Sequence, residues 1–135
     1  MRQVITLVLC YLAVVVFSGC GEQKAVDIRA ENARNLAKIN TGMTKAEVMQ
    51  IMGDKTAKVN IGINTVSVTN PYKSEIKQVN GHMYEVLYYY THHDQRDWPF
   101  KGLRILEREL TPVVFENGKV IGWGSEFLAQ KTSKQ

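Results

Sequence analysis

Two Asn-Gly pairs constrain the fold of this chain more than any other feature of the sequence. Asn117-Gly118 separates two segments with strand-like composition, Leu110–Glu116 and Lys119–Gly124. Asn80-Gly81 stands directly before a third such segment, His82–Thr91. Asn-Gly favours the two-residue type I′ turn of a β-hairpin, because both of its residues accept positive φ. The sequence therefore predicts antiparallel strands around these turns.

The segment His82–Thr91 alternates with the period of a β-strand. One predicted face carries Tyr84, Val86, Tyr88 and Tyr90, and the other carries Met83, Leu87 and Tyr89. Aromatic and β-branched residues of this kind form the cross-strand pairs of a small core. We therefore expect Tyr84, Val86 and Tyr88 to be buried.

Two further stretches have a less definite β pattern. Thr56–Val68 is rich in Val, Ile and Thr, and its alternation changes phase near Asn64-Thr65. This pattern predicts either two strands or one strand with a bulge. Asn70-Pro71 marks a turn, and the polar stretch Lys73–Val79 is predicted to be an edge strand or a loop.

Two helices are predicted before the strands. Val26–Asn40 has small apolar residues at helical spacing, with charged residues mostly between them. The second helix starts at the capping box Thr44–Glu47, and Gly53 ends it. Met43 and Val48 flank this cap with the spacing of a hydrophobic staple.

Helices followed by strands predict an α+β fold, with two N-terminal helices packed on a three- or four-stranded antiparallel sheet. The length of 135 residues allows a single domain. Hydrophobic residues make up 44% of the chain, which is too apolar for a disordered protein. The net charge of +4 comes without a Lys/Arg block, which argues against nucleic-acid binding.

The N-terminus predicts a secretory signal peptide. Arg2 precedes an apolar run from Val4 to Phe17, which is followed by the small residues Ser18 and Gly19. The run has about 14 residues, whereas a membrane-spanning helix needs about 20.

Phe17-Ser18-Gly19-Cys20 resembles the lipobox of bacterial lipoproteins, in which cleavage precedes a cysteine that then carries the lipid. The resemblance implies lipidation of Cys20. Gly21 stands where Asp would resemble an inner-membrane retention signal, so the expected location is the periplasmic face of the outer membrane. Ordinary secretion and an uncleaved anchor are the alternatives.

These features divide the chain into four parts. They are a signal peptide at 1–19, a lipidated tether at 20–25, an α+β domain at 26–128 and a polar tail at 129–135. Cys10 would leave with the signal peptide, so the mature domain is predicted to lack an internal disulfide.

Residues 38–53 resemble the signature of the BamE (SmpA/OmlA) lipoprotein family. The shared features are the helix start Gly42-Met43-Thr44, the following Val48 and the closing Gly53. The aromatic strand Tyr84–Tyr90 and the closing hairpin agree with that family, of which this chain looks like a relative rather than BamE itself. The resemblance implies two helices on a three-stranded antiparallel sheet, as in the β-lactamase-inhibitor proteins. It also implies a non-catalytic accessory role in outer-membrane protein assembly or envelope integrity.

Histidines offer the only pattern suited to a metal. His92 and His93 precede Asp94, and His82 or Asp97 could complete a site for zinc, nickel or copper. A solvated loop is the alternative interpretation. No nucleophile elbow or phosphate-binding loop is present, so the sequence predicts neither an enzyme nor a cofactor.

The polar loop between His92 and Arg104 combines aromatic and basic residues. They are Arg96, Trp98, Phe100, Lys101 and Arg104. This combination suits a protein partner or anionic lipid headgroups close to a membrane tether. We therefore predict a lipid-anchored interaction protein, with barrel-assembly components as candidate partners. A periplasmic ligand- or metal-binding lipoprotein that uses this loop is the alternative.

Overall fold

The computed structural model describes residues 27–61, 63–93 and 104–133. Its helices are α1 (Ile28–Leu36), α2 (Lys45–Met52) and α3 (Ser125–Thr132). Its strands are β1 (Thr56–Ile61), β2 (Asn64–Thr69), β3 (Lys73–Val79), β4 (His82–Tyr90), β5 (Leu110–Glu116) and β6 (Lys119–Trp123), with a 3-10 turn at Glu107–Glu109. The strands form two antiparallel sheets, β1-β2 and β3-β4-β5-β6. The predicted α+β class is confirmed, and no helix within the described ranges is long and apolar enough to cross a membrane.

Both Asn-Gly pairs form the predicted turns. Asn80 and Asn117 have φ of 53° and 51°, and the glycines that follow them also have positive φ. Val79 therefore pairs with His82 across the first turn. Glu116 pairs with Lys119 across the second. Lys73–Val79 is the edge strand rather than the loop of the two alternatives.

The β1-β2 hairpin is a separate sheet and resolves the ambiguous stretch Thr56–Val68. The change of phase near Asn64 marks the start of a second strand, which pairs antiparallel with the first. Two strands, rather than one bulged strand, are therefore the correct alternative.

Two buried clusters contain residues from opposite faces of β4. The first contains Tyr84, Val86, Tyr88 and Tyr90 with Ile28, Ile61, Val68, Ile105, Leu110 and Val114. The second contains Leu87 and Tyr89 with Ile39, Val48, Met52, Val113, Phe115 and Val120. The predicted burial of Tyr84, Val86 and Tyr88 is confirmed.

Helix α1 is shorter than the predicted Val26–Asn40. Asp27 caps it, accepting from the backbone N–H groups of Arg29 and Ala30 at 3.1 and 3.3 Å. The helix ends at Leu36, and Ile39 turns into the second buried cluster. The chain thus leaves the helix before Ile39, whose side chain is buried instead. The alanine-rich pattern alone does not reveal this early end.

Helix α2 has the predicted capping box. The Thr44 N–H donates to Glu47 Oε2 at 2.7 Å, and the Glu47 N–H donates to Thr44 Oγ1 at 3.3 Å. The helix ends at Gly53, where φ is +71°. Met43 packs against the cluster that contains Val48, as the staple predicts.

Helix α3 is an element that the sequence pattern did not predict. It crosses the expected boundary between domain and tail at Leu128. Phe127 lies flat over Gly122 of β6, where a Cβ would meet the phenylalanine ring at 2.6 Å. The polar tail 129–135 therefore begins inside a helix that docks through this contact.

Candidate interaction site

The predicted interaction loop falls between His93, where the description stops after β4, and Arg104, where it resumes before the 3-10 turn. The N–H groups of Thr91 and His92 both donate to the Glu109 carbonyl at 3.1 Å. The hydroxyl oxygens of Thr91 and Thr111 lie 2.6 Å apart. These contacts hold the outgoing and returning chain side by side, so the base of the loop is part of the folded domain.

A buried carboxylate lies at this loop base. Glu109 is fully buried, and its Oε2 accepts from the Leu106 N–H at 2.9 Å. Its Oε1 lies 3.4 Å from His93 Nδ1, and the Tyr90 hydroxyl lies 3.3 Å from the same nitrogen. Burial, and then the charge of Glu109, raise the pKa of Tyr90 to about 12. Tyr90 thus remains a neutral hydroxyl at physiological pH, and the cluster orients His93.

A recess of about 260 Å³ opens beside His93. It is lined by Asp27, Ile28, Arg29, Lys58, Val59, Asn60, Tyr90 and His93. Arg29 pairs with Asp27 at 3.0 Å. Burial opposes the charged form of Asp27, but hydrogen bonds from Arg29 and from the helix amides lower its pKa below the usual value. Lys58 is exposed and makes no ion pair within the described residues, so this part of the rim is cationic.

Most residues of the predicted interaction site fall outside the described ranges. Arg96, Trp98, Phe100 and Lys101 lie in the segment 94–103, and the lipidation candidate Cys20 lies before residue 27. Arg104 is described, and it is exposed where the chain resumes. The geometry therefore fixes the base of the loop, while the roles of its other predicted contact residues stay predictions.

The three histidines do not meet at one site. His82 begins β4, whereas His92 and His93 follow its end, about 30 Å away at the rise of a strand. His82 Nδ1 lies 2.7 Å from Glu116 Oε1, and its ring stacks on Tyr84. The proposal that His82 completes a metal site with the other two is therefore wrong.

His92 and His93 also have separate partners. His92 Nδ1 lies 2.7 Å from Thr91 Oγ1, while His93 faces Glu109. Across the residues that the structure describes, no three His, Cys, Asp or Glu side chains are grouped to hold a metal ion. Asp94 and Asp97 lie outside those residues.

A buried pair of amides supports the loop base, and no sequence pattern predicted it. The side chains of Asn32 and Asn70 exchange hydrogen bonds of 2.9 and 2.6 Å. Asn32 also donates to the Tyr90 carbonyl, and Asn70 donates to that of Met52. This pair fixes α1 against the end of β4. Single polar residues at these positions look like solvated surface in the sequence, because their partners are far away along the chain.

The sequence model of a family described as "Protein of unknown function (DUF3192)" matches residues 12–130 of the chain. The matched span takes in Phe17–Cys20, the described strands and the segment between His92 and Arg104. No curated protein and no solved structure matches the chain.

Proposed function

The chain belongs to the DUF3192 family, and we propose that it is a lipid-anchored envelope lipoprotein with a non-catalytic, BamE-like interaction role. Cys20 would hold it at the periplasmic face of the outer membrane. The surface around the His92–Arg104 loop would contact a protein of the envelope. The family match begins at residue 12 and includes Phe17–Cys20, the segment on which the lipidation proposal rests.

One observation carries the proposed mechanism: the start of the described domain and the base of the loop share one recess. Asp27 and His93 both line it. Asp27 follows Cys20 by seven positions, and an extended chain of that length reaches at most about 25 Å. A lipid on Cys20 would therefore draw this end of the domain towards the membrane, together with the loop base and the cationic rim.

The BamE-like part of the proposal rests on local agreement. The capping box forms at Thr44, and Val48 and Met52 of α2 share a buried cluster with residues of β4 and β5. Two N-terminal helices packed on the antiparallel sheet would reproduce the arrangement that the family resemblance implies. An accessory role in outer-membrane protein assembly, or in envelope integrity, follows from that resemblance.

Metabolic labelling with a radioactive fatty acid tests the anchor. The full chain should take up label, and Cys20→Ala should lose it. Cys10→Ala is the matched control, because it alters a cysteine inside the apolar run and should leave the labelling unchanged. Label uptake by Cys20→Ala at the wild-type level would overturn the lipid tether.

Crosslinking in intact cells, followed by mass spectrometry, tests the partner. Barrel-assembly components captured with wild type, and lost with Trp98→Ala/Phe100→Ala, would support the BamE-like role. Trp123→Ala is the control, because Trp123 is an exposed aromatic residue on β6. Undiminished capture by the loop variant would contradict the interface. Stoichiometric metal in untagged protein would favour the ligand-binding alternative.

A further inference from the structure

The four-stranded sheet has one edge that no described residue covers. At the β6 edge, the Gly42 N–H donates to the Val120 carbonyl and the Val120 N–H donates to the Met43 carbonyl, both at 2.8 Å. Strand β3 forms the opposite edge and pairs only with β4 within the described ranges. An uncovered strand edge is a template for pairing with another chain.

The turn geometry shows which backbone groups of β3 face outwards. A two-residue turn makes its flanking residues a hydrogen-bonded pair, so Val79 directs its groups to β4. Alternate residues then point away, which places the N–H and C=O of Ser74, Ile76 and Gln78 on the outer edge. The second hairpin follows the same rule, since Val120, next to the paired Lys119, bonds outwards.

Exposed apolar side chains lie beside this edge. Ile76 is 69% exposed, and Met83 on the neighbouring strand is 62% exposed. Ile76 pairs with Glu85, and Met83 lies two residues from Glu85 on the same side of the sheet. Natural edge strands usually avoid an exposed isoleucine at their centre, because it favours pairing.

The sequence of β3 is complementary to itself. We propose that β3 pairs antiparallel with β3 of a second copy of this chain, about a two-fold axis at Ile76. Ile76 then faces its own counterpart, Ser74 faces Gln78, and Glu75 faces Lys77 on both sides of the axis. A closed two-fold dimer requires such a self-complementary surface.

Charge and strand length together select the register. Centring the pair on Glu75 would place two carboxylates opposite each other and Lys73 opposite Lys77. Centring it on Lys77 would oppose two ammonium groups. Like charges directly opposite one another destabilise a strand pair. The register centred on Ile76 avoids both clashes and uses the full length of the strand.

The partner is therefore a second copy rather than an unrelated strand. Lysines on an edge normally discourage pairing, but here Lys77 meets the carboxylate of Glu75 from the other copy. Glu75 already lies 3.0 Å from Lys77 within one chain, so the dimer would extend an existing pair of charges into a ladder. The pairing does not depend on lipidation of Cys20.

Cysteine crosslinking of the full chain tests the pairing in cells treated with a mild oxidant. Opposed residues in a hydrogen-bonded pair have Cα atoms about 5.5 Å apart, within disulfide range. Ile76→Cys should therefore form a disulfide-linked dimer. Met83→Cys is the matched control: it is similarly exposed, but the two copies of β4 would lie about 14 Å apart. The wild type reports any dimer formed through Cys10 or Cys20.

The register has its own test. Co-expressed Ser74→Cys and Gln78→Cys chains should crosslink with each other, whereas Ser74→Cys alone should not, because its own counterpart lies about 13 Å away. Failure of Ile76→Cys to exceed Met83→Cys would overturn the proposal. Equal crosslinking of Ser74→Cys alone would overturn the register and the charge argument with it.

Charge-exchange variants of the purified full chain in detergent test the dimer independently, with sedimentation as the measure of dimer strength. Lys77→Glu should weaken the dimer about tenfold. It places a carboxylate opposite Glu75 of the other copy, and the two-fold axis produces this repulsion twice in each dimer. Glu75→Lys/Lys77→Glu should restore it. A dimer unaffected by Lys77→Glu would indicate association through another surface and would contradict the proposal.

Discussion

The two edges of the four-stranded sheet differ in whether their outward backbone groups are paired. At the β6 edge, the segment from Gly42 to Lys45 lies against the strand, with Lys45 N–H donating to the Gly118 carbonyl at 3.2 Å. At the β3 edge, the backbone groups of the outward residues meet no described chain. One edge is closed by the described chain, and the other is left unpaired by it.

The difference between the two edges follows from the burial of the side chains on each edge strand. Val120 on the closed edge is buried in the second cluster with Phe115. Ile76 on the open edge is exposed. The segment that closes β6 leads directly into the capping box of α2, so closing the edge also fixes the start of a helix. The closed edge therefore contributes to folding, whereas the described residues leave the open edge unpaired for the association proposed above.

The largest expected effect comes from a proline on each edge. Val120→Pro removes the N–H that donates to Met43 and reduces buried packing, which together should cost about 3 kcal/mol of unfolding free energy. Gln78→Pro occupies the equivalent outward position next to the other turn. Edge positions with outward N–H groups tolerate proline, so it should cost about 1 kcal/mol or less. Urea unfolding of both variants measures the difference, and equal losses would remove the distinction between the edges.

Gln78→Pro should also affect association at the open edge. Gln78→Pro removes one of the outward N–H groups that the proposed dimer uses. We expect Gln78→Pro to remain folded but to lose the crosslink of Ile76→Cys when the two substitutions are combined. A combined variant that still crosslinks fully would show that backbone pairing at β3 is not the basis of association.

A smaller effect is expected from the cap that adjoins the closed edge. Thr44→Ala removes the hydroxyl that accepts from the Glu47 N–H and should cost about 0.5–2 kcal/mol. Ser74→Ala is the control on the open edge, where the side chain is exposed and should contribute little. Thermal unfolding should separate the two variants. A loss in Ser74→Ala as large as that in Thr44→Ala would mean that the open edge is also needed for folding.

The elements that the sequence predicted correctly are those specified by adjacent residues. Asn-Gly turns and the capping box at Thr44 depend on local backbone chemistry, so each could be recognised without the fold. The closure of β6 by Gly42 was not predictable in this way, because it joins segments far apart in the chain. Helix α3 was missed for the same reason, since the contact of Phe127 depends on the space above Gly122.

The candidate site was predictable only in part. Strand β4 ends close to the predicted start of the loop, but no local sequence pattern distinguishes Glu109 from a solvated carboxylate. Its burial depends on Leu106 and His93, which approach it only in the folded chain. The adjacency of His92 and His93 likewise does not reveal their partners, because the two side chains face different groups in the folded chain.

The smallest expected effect is a pH dependence that differs between the edges. A hydrogen bond from Tyr88 is the main reason that the pKa of Glu75 lies below its ordinary value of 4.5. A carboxyl group with a lowered folded pKa stabilises the fold above its unfolded pKa, and this contribution is lost as the pH falls through the folded pKa. Glu75→Gln should therefore flatten the decline of unfolding free energy below about pH 4.5.

Glu47 provides the comparison on the closed edge. Its pKa is also lowered, chiefly by the Thr44 N–H, but its carboxylate is exposed. Solvent screens such a group more strongly than the half-buried Glu75, so Glu47→Gln should flatten the acid decline less. Urea unfolding from pH 3 to pH 6 measures both slopes. If Glu47→Gln had the larger effect, acid sensitivity would belong to the helix cap, and Glu75 would act at the open edge through association alone.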